Sequence, residues 1–253
     1  MTDTHCHLDA CEDLSSAVDP ELRAMITVGI TRERSRKAVE LAQTHPNVWA
    51  AVGIHPNHAS DAADPATRSA VGELARHPRV VAIGETGFDT HWDKETLDAQ
   101  SKAFRWHVEM ASETGKPLIL HVRDKQGAED ASQRAATFLR EAGYGSGILH
   151  CCNGHDELID TGLELGWYVS FAGNLTYKKA TALHAAARRI PRERLLVETD
   201  SPYLAPVPKR GKPNIPSYVR HTAAFLAGLR GETLAEVEAY TDANAQRVYK
   251  LNL

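Results

Sequence analysis

A chain of 253 residues, 42 % hydrophobic and 25 % charged, has the composition of an ordinary globular protein, which excludes a disordered chain and supplies enough apolar material for one large core. Its length fits a (β/α)8 barrel of roughly 250 residues. The formal charge of −4 argues against a protein that coats nucleic acid non-specifically, because that mode needs a strongly basic surface. No apolar run approaches the roughly 20 residues of a membrane span, and the first residues lack the basic and apolar regions of a secretory signal, so a cytoplasmic protein is expected. The four cysteines, Cys6, Cys11, Cys151 and Cys152, form no CxxC pair and are expected to be reduced.

In chain order, eight short runs of β type are predicted, near 1–4, 24–28, 48–52, 80–84, 118–120, 147–149, 168–171 and 195–197. Helical segments are predicted between and after them, over 32–44, 65–76, 94–114, 127–141, 157–165, 178–189 and 217–229, with a further helix from Leu234. Asp93 is the expected cap of the helix starting at Lys94. Strands alternating with helices indicate βα units and a parallel sheet. Eight of them predict an α/β fold, a single (β/α)8 barrel occupying residues 1–253 as one domain, with no repeat and no linker. The Pro-rich segment SPYLAPVPKRGKPNIP, Ser201–Pro216, reads as an ordered functional loop.

The polar residues at the ends of the runs carry the chemistry. His5 and His7, in THCHLD, lie two apart, a spacing that puts both imidazoles on one face of an extended strand. With 13 histidines in the chain, roughly 0.7 such pairs arise by chance, so the pair alone is a weak motif. The remaining run ends decide the matter: His55 follows VWAAVGI, Glu85 closes VVAIGE, His121 closes PLILH, His150 closes GILH, and Asp200 lies just past LLVET. Each stands at the C-terminal end of a strand, the face on which barrel active sites are built. His45, His77, His107, His184 and His221 fall elsewhere in the pattern and receive no role.

Histidine and carboxylate together suit divalent metals, zinc through imidazole and manganese or magnesium through the carboxylates. Six ligands (His5, His7, Glu85, His121, His150, Asp200) exceed one catalytic site and suggest two ions bridged by Glu85. Two ions about 3.5–4 Å apart would activate a water and stabilise the oxygens of an in-line displacement at phosphorus. Phosphate also needs cationic partners. Arg123 lies two residues past His121, and the run Lys209, Arg210 and Lys212 lies in the loop after the last strand, where it can follow a nucleic-acid backbone.

The segments THCHLD, GIHPN, AIGETGFD, HVRD, HCCNG and ETDSPYLAP, in this order over nearly the whole chain, resemble the TatD family of metal-dependent deoxyribonucleases within the amidohydrolase-like barrels. The resemblance implies one metal held by His5, His7, Glu85 and Asp200 and another held by Glu85, His121 and His150. It places His55 close to the scissile phosphate and implies hydrolysis of DNA phosphodiesters, as a 3′→5′ exonuclease preferring single strands. The catalytic set is then Glu85, Asp200 and His55, with Asp200 the first candidate for proton acceptor from the attacking water; DNA, single-stranded or at 3′ ends, is the expected partner, and a monomer the expected state. Cys152 in HCCNG, Asn153 beside it, Thr90 after Asp89 and Ile215 in RGKPNIP depart from the family pattern without removing a ligand. If strand geometry persists past His150, Cys152 turns toward the site and Cys151 turns away.

Two other functions fit parts of this pattern. Amidases, lactonases and phosphotriesterases share such barrels, but many of them bridge two metals with a carbamylated lysine where this chain has Glu85. A binding protein that keeps metals without turnover is the other, and the complete ligand set argues against it.

Overall fold

The computed structural model describes residues 1–92 and 94–251. Its eight strands are β1 (Thr2–Cys6), β2 (Ala24–Val28), β3 (Val48–Val52), β4 (Val80–Asp89), β5 (Leu118–Arg123), β6 (Gly147–Leu149), β7 (Tyr168–Phe171) and β8 (Leu195–Val197). They form one parallel sheet in sequence order. The sheet closes between its first and last strands: the Thr199 amide donates to Asp3 Oδ1 at 2.8 Å, the Asp200 amide to the His5 carbonyl at 2.9 Å and the His7 amide to the Ser201 carbonyl at 2.8 Å. The result is the predicted (β/α)8 barrel.

The surrounding helices are α1 (Leu14–Ala17), α2 (Arg32–Thr44), α3 (Pro65–Leu74), α4 (Leu97–Thr114), α5 (Asp130–Ala142), α6 (Asp156–Glu164), α7 (Thr181–Arg189), α8 (Val219–Arg230) and α9 (Leu234–Tyr249). The expected boundaries shift by a few residues, for reasons of capping. Helix α4 starts at Leu97 rather than Lys94, where Thr96 caps it by accepting the Ala99 amide; Asp93, the expected cap, lies outside the described residues. Helix α9 begins at the reciprocal Thr233/Glu236 capping box. Among the described residues no helix is long and apolar enough to cross a membrane.

Alternation along the strands divides the core in two. Ile26, Ala51, Ile119, Ile148 and Leu196 point into the barrel, where α9 closes the lower end with Val248 and Tyr249. Met25, Leu118, Leu120, Leu149, Leu195 and Val197 point outward against the helices. Two residues beyond an inward Ile119, Ile148 or Leu196, the same face presents His121, His150 and Glu198.

Strand β4 needs a correction to reach that geometry. Ile83 faces the helices, and strict alternation would turn Glu85 outward with it. Instead the pairing with β5 slips between Ile83 and Thr86, after which Glu85 and Asp89 face inward while Thr86 and Phe88 face α4. The slip passes through Gly84, whose φ of 133° and close approach to the Ile119 carbonyl, 2.6 Å from where a Cβ would stand, admit only glycine.

Candidate metal centre

The strand ends converge on a cavity of about 620 Å3 at the C-terminal mouth of the barrel. All seven residues singled out as ligands or catalysts meet here. His5 and His7 bring their Nε2 atoms within 3.4 Å of each other. Glu85 Oε2 lies 3.6 and 3.7 Å from them, and Asp200 Oδ1 lies 3.9 and 3.4 Å away. Four donors around one ion at 2.0–2.2 Å stand roughly 3.4 Å apart in a tetrahedron, so this group has the spacing of a coordination shell.

The tautomers agree. His7 Nδ1 lies 2.9 Å from the Val28 carbonyl, which can only accept, so the proton is on Nδ1 and the Nε2 lone pair faces the other ligands. His5 Nδ1 is buried with no hydrogen-bond partner among the described residues. Asp200 sits at φ 54°, a left-handed conformation that aspartate tolerates better than most residues.

The other oxygen of Glu85 serves a second group. Oε1 lies 2.6 Å from His121 Nδ1, 3.2 Å from His150 Nε2 and 3.7 Å from His55 Nε2. The 2.6 Å contact is a hydrogen bond and has to lengthen for both atoms to reach one ion. His121 Nε2 meets Asp89 Oδ2 at 3.2 Å. Burial pulls the His121 pKa down, but carboxylates on both nitrogens, Asp89 and Glu85, outweigh it and hold the group above the ordinary histidine value. Burial likewise opposes a charge on His150, and Glu198 and Glu85 overcome it by a wide margin. Burial would raise Glu85; the surrounding His150, His55 and His121 take it well below the usual carboxylate range. A cation entering this second group would have to displace protons from it.

His55 is different in kind. Its Nδ1 accepts the Asn57 amide at 3.0 Å, so in the neutral ring the proton sits on Nε2 and points into the site. Burial and the neighbouring His121 depress its pKa to about 3, which keeps it a neutral donor rather than a cation.

Three contributors were absent from the expected set. Glu198, fully buried, accepts His150 Nδ1–H at 2.7 Å and the Cys151 amide at 2.9 Å, orienting His150 from behind. Asp89 accepts the His91 and Trp92 amides on Oδ1, at 2.8 and 3.3 Å, while Oδ2 faces His121; burial raises its pKa, and His121 with those amides brings it to about 2. Arg34, on α2, lines the cavity with its guanidinium held by Asp9 through contacts of 2.5 and 2.9 Å. Even-numbered spacing was a usable signal for two of them, since Asp89 stands four residues beyond Glu85 and Glu198 two before Asp200.

The basic residues separate. Arg123 lines the cavity, with Lys94 and Arg34 also on its wall. The 209–212 run stands back from the ligands: Arg210 lies over the Tyr177 ring at 4.3 Å and lines an adjoining cleft that shares Asn153 and Asn174 with the cavity, and Lys209 lies over Tyr218 at 5.1 Å. Lys212 is exposed.

The cysteines are reversed from expectation. Strand β6 ends at Leu149 and the chain turns through Cys151 at φ 44°, so the assumed extended geometry does not continue. Cys151 lines the cavity, its Sγ accepting from Asn174 Nδ2 at 3.7 Å. Cys152 is buried in the apolar shell, where burial pushes its thiol up to about 12. Asn153 donates to Ser132 Oγ at 2.8 Å. All four cysteines are free.

The family model described as TatD related DNase matches residues 2–250. The chain belongs to the TatD family of metal-dependent hydrolases. It is 36 % identical over 261 residues to an uncharacterized metal-dependent hydrolase, YabD, of Bacillus subtilis, covering all of both chains. It is 31 % identical over 260 residues to a protein of Klebsiella pneumoniae named as the 3′-5′ ssDNA/RNA exonuclease TatD, covering 100 % of this chain and 96 % of the other. The solved structure of the TatD homologue YjjV of Escherichia coli shares the fold at a TM-score of 0.89 and 23 % identity, over 99 % of this chain and 98 % of that one. For this TatD protein, as for the family, metal-dependent hydrolysis is the activity, and its candidate ligand groups are the His/Asp/Glu clusters at the barrel mouth.

Proposed function

We propose that this protein hydrolyses phosphodiester bonds of DNA, as a 3′→5′ exonuclease acting on single strands, with two divalent cations held by the ligands at the barrel mouth. The observation that carries the reading is the division of Glu85: Oε2 faces His5 and His7 while Oε1 faces His121 and His150. One carboxylate turned toward two ligand groups is what bridging requires. The first group is His5, His7, Glu85 and Asp200; the second is Glu85, His121 and His150. Cations bound there would supply charge stabilisation to the phosphate and acidify an attacking water.

The chain's own residues do the rest. His55 donates a hydrogen bond from Nε2–H to a phosphate oxygen while keeping its proton, and its low pKa keeps that role unchanged across the physiological range. Asp200 accepts the proton of the attacking water: burial would raise its pKa, but His7, His150 and His5 lower it, so it is ionised and ready to accept. Arg123, Arg34 and Lys94 on the cavity wall favour an anionic substrate. Lys209, Arg210 and Lys212 hold the strand farther from the cut.

The test is to strip the protein of metal and add Zn2+, Mn2+ or Mg2+, following end-labelled single- and double-stranded DNA beside amide and lactone substrates. Metal-restored shortening of single strands from the 3′ end is expected, and Glu85→Gln should abolish it together with much of the bound metal. Turnover of an amide or lactone with DNA left intact would replace the nuclease reading by a small-molecule hydrolase; full metal occupancy and cleavage in Glu85→Gln would remove the bridge.

A further inference from the structure

Four large hydrophobic side chains are exposed among the described residues, and the two aromatic ones stand at the cavity mouth: Trp92, 56 % exposed, and Tyr203, 52 % exposed. The other two, Val207 and Leu234, line no part of it. Trp92 follows β4 and Tyr203 follows β8. In an eight-stranded barrel with strands in sequence order, those two positions are diametrically opposed, so the rings flank the ligand cluster from opposite sides.

Both are held by the site itself. Asp89 Oδ1 accepts the Trp92 amide while its Oδ2 contacts His121, and the Arg123 guanidinium lies over the indole at 5.4 Å. On the other side, the Tyr203 amide donates to the Asp200 carbonyl at 2.9 Å, Asn214 Nδ2 donates to the Tyr203 carbonyl at 2.6 Å, and the phenol ring stands edge-on to His7 at 6.0 Å. The backbone of each is thus tied to a residue of the site, Asp89 or Asp200, while about half of each side chain is exposed.

We propose that Trp92 and Tyr203 are base-stacking platforms, one for each nucleobase flanking the scissile phosphate. The inference rests on the nucleic-acid reading above and gives it a physical basis for strand choice. Flat rings at the mouth of a cavity walled by Arg34, Lys94 and Arg123 suit a base on each side of one phosphodiester, and stacking of this kind is tolerant of sequence. Two bases taken by rings on opposite walls cannot also stack on each other. A duplex has to unpair and unstack there first, whereas a single strand or a frayed end does not. Arg123 behind the indole adds a cation to the same platform.

The test uses short single-stranded oligonucleotides with a hydrolysis-resistant phosphorothioate at the terminal linkage. Of the four tryptophans, Trp106 and Trp167 are buried, Trp49 is half-buried, and Trp92 is the one lining the cavity, so a change in intrinsic fluorescence on binding there reports chiefly on Trp92. Binding is expected to quench it, and Trp92→Leu or Tyr203→Leu should weaken binding by roughly 5- to 150-fold, the range of one lost base–aromatic stack. Oligonucleotides lacking the base on the 5′ or the 3′ side of that linkage supply the second arm. Removing one base should cost the wild type the same factor yet cost nothing further in Trp92→Leu, and removing the other should be masked only in Tyr203→Leu. That masking also separates lost stacking from damaged folding, which would weaken all ligands alike. Equal penalties for base removal in wild type and both variants would overturn the proposal, as would oligonucleotide binding, seen by anisotropy, that leaves the indole unquenched. A wild type that neither binds nor cuts any oligonucleotide refutes the nuclease reading instead.

Discussion

Glu198 offers the sharpest test of how the site is held. It is buried, and its Oε1 accepts from two donors, His150 Nδ1–H at 2.7 Å and the Cys151 amide at 2.9 Å. Glu198→Gln keeps a carbonyl oxygen for one or both donors and removes the charge. A hydrogen bond to a charged group contributes about 1.5–3 kcal/mol and a neutral one about 0.5–1.5 kcal/mol, so the change removes on the order of 1–1.5 kcal/mol from the orientation of His150. This corresponds to roughly tenfold weaker metal binding, at the lower end of what partners behind a metal ligand are worth. Glu198→Ala is harsher, because two buried donors lose their acceptor at about 1–3 kcal/mol each. Competition with a chromogenic zinc chelator at fixed pH measures the first effect and urea unfolding of the metal-free protein the second. A Glu198→Gln protein with unchanged metal affinity would refute the orienting role, and a Glu198→Ala protein of normal stability would show that the two donors find other partners.

Metal binding near neutral pH should release protons, because His121 and His150 are held above the ordinary histidine value without metal; calorimetry in buffers of different ionisation heat should show it, metal affinity should rise with pH, and no buffer dependence would contradict the assignment. His107, buried on α4, accepts the Ile54 amide on Nε2 at 2.9 Å, and burial depresses its pKa from 6.5 to about 4. The unfolded chain therefore takes up this proton first on acidification, so the contribution is complete above pH 6.5 and is lost as pH falls toward 4, on the order of 3 kcal/mol in all. His107→Gln should flatten that part of the stability profile, and an unchanged slope would show that the group does not titrate this way. Neutralising Lys209, Arg210 and Lys212 together should flatten the salt dependence of oligonucleotide binding, by up to roughly 0.7 in the log–log slope for each phosphate these side chains neutralise, measured by anisotropy; an unaltered slope would put the strand elsewhere. Alkylation should spare Cys152 until the protein unfolds, and peptide mapping that finds it modified in the native state would contradict its burial.

The architecture was legible because apolar runs and barrel strands coincide, but the runs end before the strands do. The run over 80–84 belongs to a strand that continues to Asp89, the one over 118–120 to a strand reaching Arg123, and the one over 1–4 to a strand reaching Cys6. In each case the ladder continues while the inward side chains (Glu85 and Asp89, His121, His5) become polar, because they face the cavity cluster, whereas Phe88, Val122 and Cys6 beside them still pack outward. Hydrophobic pattern reports burial against apolar neighbours, not backbone pairing, and so it stops where the candidate site begins.

The same limit explains which site residues were visible. His5, His7, His121, His150 and Asp200 stand out as polar side chains where an apolar run gives way; six of the seven chosen residues line one cavity, and His5 stands beside His7 at 3.4 Å. Glu85 faces inward only because the chain slips register at Gly84, a backbone event that strict alternation misassigns. Cys151 and Cys152 show the converse error: a turn at φ 44° reverses the two faces just past the last ladder residue. Asp89, Glu198 and Arg34 were harder to see because their partners are distant in sequence or already ligands themselves. Asp89 matters through His121, Glu198 through His150, and Arg34 through Asp9, 25 positions away. For Asp89 and Glu198 the even spacing from Glu85 and Asp200 marks the face but not the role, and for Arg34 not even that; the role becomes recognisable only when the fold has brought the partner within hydrogen-bond reach.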